Sequence, residues 1–171
     1  FKITSGYIIL ILCLVFSAYV LNNQITNLQE HRNSIIKYDA SMRTISNNLE
    51  RKIINMESSL HRHLITNDEK YLDKYYEELM TWEATYNELN DLVQNFSTSD
   101  GQLDTIYSSI NDWINNTGQP LLRAIIDENN EQVLSLFDGE LSSTAINELQ
   151  QHFTAFRNFE TQDIQENVSI L

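Results

Sequence analysis

The chain has 171 residues, with 24 acidic against 11 basic side chains and a net charge of −13; such a field repels polyanions and excludes nucleic acid as a partner. Four glycines and one proline are too few for the many turns of a sheet protein, so the composition predicts an all-α chain of long helices. The single cysteine, Cys13, rules out an intrachain disulfide and leaves the redox compartment unread.

The first element is the apolar run Tyr7 to Leu21, YIILILCLVFSAYVL. With Ile3 to Gly6 it makes about 19 residues, roughly 28 Å of helix, close to the hydrocarbon thickness of a bilayer. Tyr7 and Tyr19 sit near its two ends, where amphipathic rings favour the interface. Lys2 on the N-terminal side places that end in the cytoplasm and residues 22–171 outside. The alternative is a cleaved signal peptide with a poor site at Val15 and Ser17. No helix breaker separates the run from the periodic segment that follows, which favours a retained transmembrane helix in contact with lipid over residues 3–21.

From residue 22 the pattern is heptad-like. Leu28, Ile35, Met42, Leu49 and Met56 recur every seven residues. Ile53 and Leu60 fill the complementary positions at the far end, whereas Arg32, Asp39 and Ser46 fill them nearer the N-terminus. The spacing predicts one helix over about 22–66, with a half-polar stalk and a better-packed distal part. Thr66-Asn67-Asp68-Glu69 breaks it, and Thr66 or Asn67 is placed to cap the next helix. That helix carries two rows, Leu72, Leu79, Tyr86, Val93 and Tyr75, Trp82, Leu89, Phe96, an aromatic stripe that reads as core.

Ser97 to Gly101 reads as a turn. A third helix follows on Leu103, Ile106, Ile110, Trp113 and Ile114, interrupted or kinked at Gly118-Gln119-Pro120. Leu121–Ile126 and Val133–Phe137 read as its continuation, to an end at Asp138-Gly139. The fourth starts near Leu141, with Ser142 or Ser143 as cap, and carries Ile146, Leu149, Phe153, Phe156 and Ile164. The fold class expected is all-α: an up-down-up-down four-helix bundle whose long first helix is continuous with an N-terminal transmembrane helix. Helix one offers about 67 Å beyond the membrane, and helix four stops on the order of 15–20 Å short of returning. Together with a first residue, Phe1, that is not Met, this gives the expectation of a longer protein that crosses the membrane a second time.

Around the first turn the chain resembles a CHASE domain of the third class. The signature of that family is a helix with an acidic residue, then Thr-Gly-Gln-Arg-Gly-Tyr, an apolar pair, Thr-Gly-Asp, and a Tyr-Leu with a later Tyr. Glu57 matches the acidic residue, Leu64-Ile65 the apolar pair, Thr66 the threonine, Asp68 the aspartate, and Tyr71-Leu72 with Tyr75 the aromatic run. A Gly-containing turn at Asp138-Gly139 and a helix with Glu160 look similar as well. The chain departs from the pattern at His61, Arg62 and Asn67, where the family has arginine, glycine and glycine. Glu57 and His61, at i and i+4, could replace the usual acid–arginine pair. The resemblance covers about residues 40–165.

The resemblance implies an extracytoplasmic signal-input domain of a bacterial membrane receptor, with a sensor histidine kinase as the commonest output and a nucleotide cyclase or chemoreceptor signalling domain as others. Hydropathy and heptad pattern divide the chain into a transmembrane helix at 1–21, a helical stalk at 22–40 and a sensor bundle at 41–171, and a sensor of this kind is expected to work as a homodimer with an extracellular ligand or partner. By resemblance the ligand-binding candidates are Glu57, His61, Thr66, Asp68 and Tyr71; the competing reading is a capping and turn network that fixes the hairpin. A membrane-anchored coiled coil that recruits another protein is the second functional reading.

Chemistry is sparse. A di-metal bundle site wants Glu-x-x-His on two helices, whereas Glu57/His61 and Glu148/His152 are both at i, i+4, and His61 and His63 point to different faces. No Gly-rich phosphate loop or nucleophile elbow occurs. The sequence therefore predicts no catalytic site, no metal and no cofactor. Three Asn-x-Ser/Thr matches, at Asn95, Asn115 and Asn167, read as chance in an Asn-rich chain.

Overall fold

A computed structural model describes residues 2–95, 100–137 and 140–169, and the side chains of these except 2–13, 27, 28, 30, 31, 100, 137, 140–143, 163 and 165–169. Six α-helices and one π-helical turn account for nearly all of it, and no strand occurs among the described residues. In order they are α1 (Lys2–Thr66), α2 (Lys70–Gln94), α3 (Asp100–Trp113), the π-turn (Ile114–Gly118), α4 (Gln119–Ile126), α5 (Asn130–Phe137) and α6 (Glu140–Ser169). The chain divides into two compact units, residues 1–38 and 39–171, both of which include part of α1.

In the first unit, Leu14, Val15, Phe16, Tyr19 and Leu21 are each more than half exposed. Among the described residues no helix is long and apolar enough to cross a membrane; Tyr7 to Cys13, the first half of the apolar run, lie outside the described side chains.

The second unit holds the core. Met42, Leu49 and Met56 of one heptad row on α1 are buried, and so are Ser46, Ile53 and Leu60 of the other. On α2, Tyr75, Trp82, Tyr86, Leu89 and Val93 are buried, while Leu72 and Leu79 are half-buried. All five positions of the α3 stripe are buried, as are Ile146, Leu149, Phe153 and Phe156 of α6. Hydrogen bonds run between these elements. Lys52 Nζ donates to Glu78 Oε2 at 3.1 Å and Asn55 Nδ2 to Glu78 Oε1 at 2.8 Å, joining α1 to α2. Arg157 Nη1 reaches Glu50 Oε2 at 2.6 Å and Arg43 Nη2 donates to Thr161 Oγ1 at 2.6 Å, joining α6 to α1. Tyr107 of α3 packs on Trp82 and Tyr86 of α2, with ring centroids 5.6 and 4.8 Å apart. Ser109 Oγ and His152 Nδ1 are 3.0 Å apart across α3 and α6.

At Pro120 the helix is interrupted, but by a wider turn and not by a break. Ile110, Ile114, Gly118 and Leu122 are all buried and spaced four residues apart. In a 3.6-residue helix, each such step overshoots by about 40°, so the row would drift about 120° off the core over three steps. A π-turn absorbs much of that drift, because its i→i+5 bonds give more residues to the turn; Gln119 N–H donates to the Ile114 carbonyl in this way. The proline, with no N–H of its own, falls at the start of α4 directly after the wider turn.

Two expectations need correction. α5 does not simply continue α4: the chain breaks at Asp127–Asn129, Glu128 takes φ 52°, and Asn129 Oδ1 accepts the Gln132 N–H at 3.1 Å as the cap of a new helix. Nor does Asn67 or Thr66 cap α2. Asn67 ends α1 in the left-handed region at φ 53°, its N–H donating to the His63 carbonyl at 2.7 Å, the usual geometry just past a helix C-terminus. The positions read as turn or cap at Ser97 to Ser99, Asp138, Gly139, Ser142 and Ser143, and the apolar positions Leu28 and Phe96, lie outside the described residues or side chains.

Candidate functional site

The α1–α2 turn gathers three of the five candidate residues. Thr66, the last residue of α1, spends its hydroxyl on the Arg62 carbonyl at 2.7 Å, a local i−4 bond. Asp68 accepts the Lys70 backbone N–H at 3.1 Å and pairs with Lys70 Nζ at 2.6 Å. Those two contacts, the side-chain bond first, hold its carboxyl below the usual carboxylate range, and the side-chain bond with the charge of Asp68 holds the Lys70 ammonium above its ordinary value. Tyr71 lies beneath two cations, Lys70 Nζ at 4.9 Å and Arg62 Cζ at 5.9 Å from its ring centroid, within cation–π range. Glu57 and His61 stand further back on α1, each half-buried and each engaged by a neighbouring group. Thr66, Asp68 and Tyr71 are thus brought together, and every contact that the structure gives them is spent within the turn and its flanking helix ends.

The sequence pattern passed over His63. It is 7% exposed, and its Nδ1 lies 3.1 Å from the Asp68 carbonyl oxygen. A carbonyl only accepts, so the ring nitrogen that faces it carries a hydrogen. His63 lines a cleft of about 590 Å³ between the α1–α2 turn and the α4–α5 break, together with Asn67, Glu69, Leu72, Ile125 and Glu128. Asn67 and Glu128, the two non-glycine residues with positive φ among the described residues, both line it. An imidazole and two carboxylates thus line one cleft. The residues of α4 and α5 that line this cleft with His63 lie far from it in sequence, and heptad spacing on α1 does not encode that neighbourhood.

Among the described residues no group of three or more His, Cys, Asp or Glu side chains is disposed to hold a metal ion. His152, one member of an i, i+4 acid–histidine pair, has Nδ1 occupied by Ser109.

The profile of the CHASE3 domain matches residues 32–169. No curated protein and no solved structure matches the chain.

Proposed function

Because the chain belongs to the CHASE3 domain family, whose members are extracellular sensory domains of signalling receptors, we propose that it is the signal-input domain of a membrane-bound bacterial sensor histidine kinase. Residues 3–21 form the membrane anchor. Supporting this is the uncovered apolar surface of Leu14, Val15, Phe16, Tyr19 and Leu21, which lipid would cover at a gain of roughly 25 cal/mol per Å². Residues 22–40 form the stalk and 41–171 the sensor, read as a four-helix bundle of α1, α2, the α3–α4 run and α6. The cycle of contacts α1–α2, α2–α3, α3–α6 and α6–α1 is what favours that architecture.

The observation that carries the mechanism is the tie between α6 and α1. Arg157 bonds Glu50 at 2.6 Å and Arg43 bonds Thr161 at 2.6 Å, so a ligand that displaces α6 acts on α1 through two charge-assisted bonds. A signal received at the Thr66, Asp68 and Tyr71 turn and its cleft, with Glu57 and His61 behind it, passes by helix displacement towards the membrane in a homodimer. A ligand moves such an equilibrium only by its differential affinity for two arrangements. Reporter fusions test the topology: alkaline phosphatase inserted near residue 128 is expected to be active outside the membrane, with Arg32→Cys cross-linking the dimer. An inactive phosphatase paired with an active cytoplasmic reporter at the same position would remove the reading.

A further inference from the structure

Charge is divided between the first helix and the rest of the chain. Residues 1–66 hold seven basic against four acidic side chains, a net +3, and residues 67–171 hold four against 20, a net −16. The acids among the described side chains of α1 are all half-buried and engaged: Asp39 by Arg43, Glu50 by Arg157 and Glu57 by a neighbouring group. Arg51 and Arg62 are exposed. They stand eleven residues apart, about three turns and roughly 16 Å along one side of the helix. Arg51 enters no ion pair among the described residues.

The outer side of α2 has the opposite sign. Asp73, Glu77, Met80, Ala84, Glu88 and Asp91 follow one another at steps of three and four residues, one stripe of a helix, and all six are exposed. Lys70, at the head of that stripe, is already paired with Asp68. Met80 is 78% exposed, an apolar centre between two pairs of carboxylates, the arrangement of an interface core and its rim. Lys52 and Asn55 both bond Glu78, which fixes the level of α2 beside α1 and puts Glu77 within about one turn of Arg51 along the bundle. A cationic stripe and an anionic stripe thus run side by side on the α1–α2 face. Two copies that each carry −13 repel one another, and attraction between them needs a face that matches itself in sign.

We propose that the α1–α2 face is the contact between two copies of this chain, related by a two-fold axis parallel to the helices. That rotation sets α1 of each copy against α2 of the other, so the face meets itself with its signs crossed. Arg51 lies beside Glu77 of the partner subunit, the same pair recurs on the other side of the axis, and Met80 of each copy is covered. Packing α1 directly on its twin would instead set Arg51 against Arg51, and like charges in contact are costly. The inference rests on the homodimer of the receptor reading and on the shared membrane for the parallel setting of the copies. Its test reads association alone, so a failed topology experiment leaves the contact standing, and a failed contact leaves the topology standing.

Sedimentation equilibrium of the full 171-residue chain in density-matched detergent micelles measures the dimer Kd. Arg51→Glu and Glu77→Arg, both at exposed positions, are each expected to raise it roughly tenfold. Glu77→Arg is the sharper of the two, because it lowers the net negative charge and on overall repulsion alone would tighten the dimer. Arg51→Glu combined with Glu77→Arg restores the pair with its signs exchanged and is expected to return the Kd to within about threefold of the starting chain. A chain that stays monomeric, a dimer that Glu77→Arg tightens or leaves unchanged, or a combined variant as weak as the single ones overturns the proposal.

Discussion

Tyr75 keeps its phenol wholly buried with no hydrogen-bond partner for the hydroxyl among the described residues, and burial pushes its pKa up from 10.0 to about 12. In the unfolded chain the phenol releases its proton near pH 10, whereas in the fold it holds it until about 12. Stability from this group is therefore whole below pH 10 and is lost as the pH climbs from 10 towards 12. Tyr75→Phe keeps the ring and removes the orphaned oxygen, so it is expected to be neutral or stabilising by up to about 1 kcal/mol at pH 7. It should also flatten the alkaline limb of a pH series of thermal melts followed by circular dichroism. The same hydroxyl explains Gly118. A Cβ there would meet Tyr75 Oη at 3.1 Å and the Trp113 ring at 3.2 and 3.3 Å. Alanine normally stabilises a helix over glycine by about 1 kcal/mol. At this position Gly118→Ala is expected instead to lower stability by about 1–2 kcal/mol, readable from a urea midpoint, and Gly101→Ala, with open space around its Cβ, should not.

At the scale of the element, the ion pair that joins α6 to α1 lies deeper than the one within α1. Arg157 and Glu50 have side chains only 17% and 16% exposed, against 43% and 35% for Arg43 and Asp39. Arg157→Gln is expected to cost about 2 kcal/mol, because it strands a shielded carboxylate; Arg43→Gln is expected to cost about 1 kcal/mol or less, with solvent screening what it leaves behind. Urea titrations of the two variants under identical salt check the ranking. The α1, α2, α3 and α6 cores were legible in the sequence because each face repeats at helical spacing, down to Ser46 standing in a buried row. Two features were not. The π-turn was written in the Ile110, Ile114, Gly118, Leu122 spacing, which is too wide for an α-helix, but Pro120 beside it drew attention to a kink. The α4–α5 break has neither glycine nor proline; its signal is Asn129 three residues before Gln132, a cap that competes with the apolar continuation. The site was legible in part. Thr66, Asp68 and Tyr71 do converge, since they lie within one turn. His63 shares its cleft with residues of α4 and α5, about sixty residues on, and no local pattern announces that.

For the whole molecule, the matched span 32–169 covers the second unit almost entirely and unites its long helices in one family, which the turn motif suggested through Glu57, Thr66, Asp68, Tyr71 and Tyr75 beside generic apolar positions. Within that unit the two long seams carry different cross-helix contacts beside the apolar core that all four helices share. Between α6 and α1 lie the Arg157–Glu50 and Arg43–Thr161 bonds, and between α2 and α3 lie Trp82, Tyr86 and Tyr107. Charge attraction fades as salt is added, and apolar attraction fades as water is cooled. The two seams therefore have separate weaknesses. Raising ionic strength is expected to speed amide hydrogen exchange first along α6 and its α1 partner, and chilling to speed it first along α2 and α3. Brine and cold would each open a different side of the same domain.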